Sequence, residues 1–140
     1  MSVTAREYLE KIWHNERIIL NKEIERKYWL GLATGITANM GGERVQASKT
    51  SHPMENQVVE AALIDQEIDR LKKEIADIID SIQQLPTDEY EFLHKVYIQH
   101  LSLKAVQAES KKSYSWATTT HKRALKKLQY ILDHREKAGA

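Results

Sequence analysis

The sequence predicts an all-α protein: a long antiparallel helical hairpin, coiled-coil-like, followed by a C-terminal helix-turn-helix. Three observations carry this. The 140 residues include only five Gly and two Pro, with 29% charged residues, a composition that favours long helices over sheets. An apolar repeat averaging 3.5 residues runs from Met54 to Leu85, the spacing of a coiled-coil seam. Two consecutive capped segments, the second of them basic, then close the sequence.

Taken in order, Thr4 is placed to cap a first helix, with Glu7 three residues on completing a capping box. That helix is expected to run to about Asn39. Its apolar residues Leu9, Ile12, Ile19, Leu30 and Ala33 are helix-spaced, but Glu16, Glu23 and Arg26 interrupt the stripe. In "MGGERVQASKTSHP", residues 40–53, Gly41-Gly42 stop the helix and Pro53 precedes the next start. The segment reads as a polar, flexible loop.

The second long helix carries the cleanest pattern. Met54, Gln57, Ala61, Ile64, Ile68, Leu71, Ile75, Ile78, Ile82 and Leu85 alternate four- and three-residue steps, and only Gln57 is polar. Asp65, Glu67, Asp69, Glu74, Asp77 and Asp80 lie between them as a solvated face. Such a stripe needs a partner. The first helix can fold back upon it, and Ile64, Ile68, Leu71, Ile75, Ile78 and Ile82 are the expected seam of a homo-oligomer, a dimer. Pro86 ends the pattern, so the domains are expected to divide into a hairpin over 1–86 and a second module over 87–140.

Within that module, Thr87 is the expected cap of "TDEYEFLHKVYIQH", with Leu93, Val96 and Tyr97 on one face. A short helix from about Ser102 to Ser110 and a longer one from Ser113 to about His134 follow, both Ser-capped. Charge is uneven along the sequence. Residues 54–86 carry three basic and eight acidic side chains, whereas residues 101–132 carry seven Lys/Arg against Glu109 alone. A basic end of this kind faces polyanions.

Two consecutive helices with the second basic match a helix-turn-helix, which sets its second helix in the DNA major groove. With Ser113 as cap, Ala117, Thr120, Ala124, Leu125 and Leu128 fall inward. Tyr114, Ser115, Thr118, Thr119 and Lys122 fall outward as candidate base-reading residues, since short hydroxyl side chains permit close approach and Thr methyls can meet thymine methyls. Lys111, Lys112, Arg123, Lys126 and Lys127 are the candidate phosphate contacts.

Other chemistry finds little footing. With no cysteine, there is neither a disulfide framework nor a thiolate metal site. His14, His52, His94, His100, His121 and His134 form no HExxH or paired ExxH pattern, so surface or boundary positions are expected for them. No phosphate-binding glycine loop and no nucleophile elbow occurs, so no catalytic residue, metal or cofactor is expected. No apolar run is long enough to span a membrane and the start lacks signal-peptide features, which together predict a cytoplasmic protein.

Four stretches resemble a family: "AREYLEKI" at 5–12, "ERVQAS" at 43–48, "LPTDEYEFLHKVYIQHLSL" at 85–103 and "SYSWATTTHKRALKKLQYIL" at 113–132. The last is the most specific, because Trp116 and "RALKKL" sit at matching offsets. The sequence resembles small phage- and prophage-encoded proteins of Gram-positive bacteria whose C-terminus is similar to region 4 of sigma factors, related to the ArpU-type late-gene transcriptional regulators. The resemblance implies a phage-derived, non-enzymatic regulator of transcription that binds double-stranded DNA in the host cell cytoplasm. The sequence departs from the pattern at Lys111, where the turn usually has Gly, and at Gln107, Ser110, Lys112 and Lys122. These polar residues loosen the expected packing between the two helices. The alternative expectation is a protein-binding module that engages a host or phage factor, such as RNA polymerase, through its coiled coil or degenerate motif.

Overall fold

A computed structural model describes the backbone of residues 3–34 and 53–139, and side chains over 3–33 and 55–135. Every regular element among the described residues is helical: α1 (Ala5–Thr34), α2 (Pro53–Ile82), α3 (Thr87–Leu93), α4 (Leu103–Ser110) and α5 (Tyr114–Gly139). A π-helical turn, His94–Ile98, extends α3. The all-α expectation holds. The expected helix end at Asn39, Gly41-Gly42 and the "ERVQAS" stretch lie outside the described residues.

Local chemistry explains most of the starts. The Thr4 hydroxyl accepts from Glu7 N at 3.1 Å, and the Glu7 carboxylate accepts from Thr4 N at 3.1 Å, a reciprocal capping box. Pro53 opens α2 as its first residue, where its missing N–H has no intrahelical acceptor in any case. Ser102 Oγ accepts from Ala105 N at 3.1 Å and Ser113 Oγ from Trp116 N at 3.0 Å. Thr87 differs from expectation. It is the first residue inside α3, whose start after Pro86 has no side-chain cap bond.

The chain divides into two compact units: Met1–His14 with Glu74–Ala140, and Asn15–Lys73. The division differs from the one expected at Pro86, because the ends of the two long helices belong with the C-terminal helices. Ala5, Leu9 and Ile12 of α1 and Ile78 and Ile82 of α2 share one core with Phe92, Leu93, Tyr97, Val106, Ala117, Ala124 and Leu128. Polar ties reinforce it. Ala5 N donates to Gln129 Oε1 at 2.6 Å, Tyr8 OH and Ser81 Oγ share a 2.7 Å bond, and Trp13 Nε1 donates to Tyr97 O at 2.8 Å.

In the other unit, Ala61, Ile64, Ile68 and Leu71 of α2 are buried together with Asn15 and Ala33 of α1. Asn15 Nδ2 donates to Leu71 O at 3.3 Å, and Arg26 Nε pairs with Asp65 at 2.6 Å. Residue numbers thus fall along α2 as they rise along α1. Of the expected oligomer seam, Ile64, Ile68, Leu71, Ile78 and Ile82 are buried within a single chain, and Ile75 is half-buried. The chain itself covers most of this stripe, as closure of a hairpin would.

Candidate nucleic-acid interface

The C-terminal face is built by α3, α4 and α5, with α5 packed against the other two. The link between α4 and α5 is set by Lys111, which takes the left-handed conformation at φ 58°, ψ 39°. Lys111 N donates to Ala108 O at 3.2 Å and Lys112 N to Gln107 O at 3.1 Å, the paired bonds of a Schellman ending. Lys111 therefore occupies the left-handed position expected of it, without a glycine's freedom. Ser113 begins α5 two residues later.

The face of α5 that meets the core is Ala117, Thr120, His121, Ala124 and Leu128, all buried, with Leu125 half-buried. Against expectation, His121 is not a surface or boundary residue. Its spacing from Ala117 and Ala124 puts it on the buried stripe, a signal present in the sequence but outweighed there by residue type. Its Nε2 shares a 2.9 Å hydrogen bond with Tyr97 OH. Burial pushes the imidazole pKa below its usual value, and the positive charge of Arg6 adds to this. Burial pushes the Tyr97 phenol up, with Arg6 opposing.

The opposite face carries the candidate readers. Tyr114, Ser115, Thr119 and Lys122 are exposed, as are Lys111, Lys112 and Lys126. Thr118 is half-buried, and its hydroxyl donates to Ser115 O at 3.0 Å. What Thr118 can offer a ligand is therefore its methyl group and its oxygen as an acceptor, not its hydroxyl hydrogen. A groove of about 330 Å³ opens beside the turn, lined by Phe92, Val106, Ser110, Lys112, Trp116 and Thr120 among others.

Two of the five expected phosphate contacts are engaged elsewhere. Arg123 Nε donates to Glu89 Oε2 at 2.6 Å, and Lys127 Nζ to Glu89 Oε1 at 3.3 Å. Glu89 is 4% exposed, and sequence reasoning gave it no role. Burial raises its carboxyl pKa, but the bonds and charges of Arg123 and Lys127 outweigh that and hold it below the usual range. An uncompensated buried carboxylate is costly, so these two cations, themselves exposed, also serve the fold by pairing with Glu89.

Among the described residues, no group of three or more His, Asp or Glu could hold a metal ion, and no helix is long and apolar enough to cross a membrane. No protein-family model, curated protein or solved structure matches the chain.

Proposed function

We propose that α4 and α5 form a helix-turn-helix and that the protein is a non-enzymatic transcription regulator binding double-stranded DNA. One observation carries the reading: the left-handed closure of α4 at Lys111 leads directly into the Ser113 cap of α5, whose first turns expose Tyr114, Ser115, Thr119 and Lys122 while Ala117 and Thr120 are buried. A helix held by its inner face and presenting hydroxyls and a lysine at its outer N-terminal end has the anatomy of a major-groove reader. Lys111, Lys112 and Lys126 supply exposed cations near it. The motif resemblance supports a phage-derived regulator acting in the bacterial cytoplasm. For residues 15–73, the ties between Asn15 and Leu71 and between Arg26 and Asp65 support an antiparallel helical hairpin.

Selection of bound duplexes from random DNA, followed by titration across salt, tests this. The expected result is an enriched sequence whose affinity falls with log salt by about 0.9 per phosphate contact. A second reading, a protein-binding module that engages RNA polymerase or another factor, draws support from Arg123 and Lys127, whose pairing with Glu89 offsets one of their two positive charges. Absence of duplex binding even at low salt would replace the first reading with the second.

A further inference from the structure

The helix α1 is apolar on two faces, and a face left bare on a helix whose other side is packed calls for a second partner. Between Asn15 and Ala33, the buried side carries those two residues with Trp29 and Leu30 half-buried. The opposite side carries Leu20, Ile24 and Tyr28, which are 59%, 61% and 54% exposed, and Leu32 continues the stripe. They recur at every fourth residue, about 6 Å apart along the axis, which keeps them on one slowly turning ridge.

We propose that this ridge is where a second copy of the chain docks, through an antiparallel, two-fold pairing of α1 with α1. Charge complementarity and the spacing of the ridge point to this occupant. When two copies cross at the level of Glu25, Glu23 of each stands level with Lys27 of the other, on the same flank of the ridge, so both opposite-charge pairs form at once. In that register the apolar residues are offset by two positions, about 3 Å. Ile24 then falls between Ile24 and Tyr28 of the second copy, and Leu20 between its Tyr28 and Leu32, so the ridges interlock. Glu25 meets its own counterpart at the crossing, but its carboxylate lies 3.9 Å from Lys22 of its own helix, which offsets the repulsion. An acidic or basic partner protein would require flanks of one sign. Here Glu16, Arg17, Glu23, Glu25 and Lys27 mix both, the pattern that an isologous contact matches to itself. A lipid surface calls for a lysine- and arginine-rich polar face opposite the apolar one, whereas the face opposite this ridge is packed against α2.

Sedimentation equilibrium on the full chain tests the proposal independently of DNA binding. The wild type is expected at twice the chain mass at micromolar concentration. Ile24→Asp, on an exposed position, should give the single-chain mass with an unchanged helical circular-dichroism spectrum. Glu23→Lys should weaken association roughly tenfold by setting like charges at both crossings, and Glu23→Lys combined with Lys27→Glu should restore it. A wild-type monomer, whose ridge then serves a different protein or a lipid surface, overturns the proposal. So does an Ile24→Asp variant of unchanged mass, or a double variant no tighter than Glu23→Lys.

Discussion

Arg123 on α5 donates through Nε to the buried Glu89 carboxylate on α3 at 2.6 Å. That bond ties the proposed reading helix to the core it stands on. Arg123→Ala leaves the carboxylate with Lys127 alone and should lower unfolding free energy by about 1–3 kcal/mol, read from urea denaturation. Because the Glu89 pKa lies below its ordinary value of 4.5 in the folded state, its contribution is full above that value. It is lost as pH falls through the folded pKa, so in acid the variant and the wild type should converge.

The phosphate-facing role is expected to rest on the exposed lysines outside that clamp. Changing Lys112 and Lys126 together to Ala should weaken specific and random duplexes alike and flatten the salt slope by about two units. Lys127→Ala should chiefly reduce stability. Equal slopes for the double variant and the wild type would remove these lysines from the interface.

At Thr118 the methyl and the hydroxyl should separate by chemistry. The Thr118 hydroxyl hydrogen is occupied by the Ser115 carbonyl, so Thr118→Val should keep affinity for the selected site, whereas Thr118→Ala, which lacks the methyl, should lose about 1–3 kcal/mol there and little on random DNA. A Val variant as weak as the Ala variant would show that the hydroxyl does the reading.

A two-fold protein carrying two reading helices should protect an inverted repeat with half-sites about 34 Å apart, or a multiple of that. A footprint on one asymmetric half-site would contradict the pairing.

His121 sets a second pH dependence. Its folded pKa is lowered from 6.5, so the unfolded chain binds the proton more readily and stability should fall as pH drops below about 6.5. His121→Asn should flatten that part of the stability profile. An unchanged profile would place the imidazole in solvent.

Much of the fold was legible in the sequence, because its signals are local. The Thr4–Glu7 box, the Ser102 and Ser113 caps and the left-handed Lys111 each depend on a few neighbouring residues. The seam was legible as a stripe but not as to what covers it, since periodicity says nothing of the partner. The division between units was hidden for a related reason: Ala5, Leu9 and Ile12 join Phe92, Leu93 and Leu128 across some eighty or more residues of sequence. At the site, exposure of Tyr114, Ser115 and Thr119 followed from helical spacing. Glu89 did not stand out, because a charged residue declares its burial only through distant partners, here Arg123 and Lys127, whereas the buried spacing of His121 was present in the sequence but outweighed by its residue type. The π turn at His94–Ile98 had no sequence signal that residue spacing could expose.

Lys111 gives the turn a further meaning. A glycine there would adopt φ 58° without the steric cost that a Cβ incurs. Where the lysine stands instead, the turn carries that cost and sets an exposed cation at the corner that leads into α5. If Lys111 contacts phosphate as proposed, robustness and grip are opposed at a single backbone position. On the proposed DNA-binding reading, a lineage or an engineer selecting for heat resistance would drift toward glycine here at the expense of affinity for a polyanion; one selecting for tight binding would retain the strain.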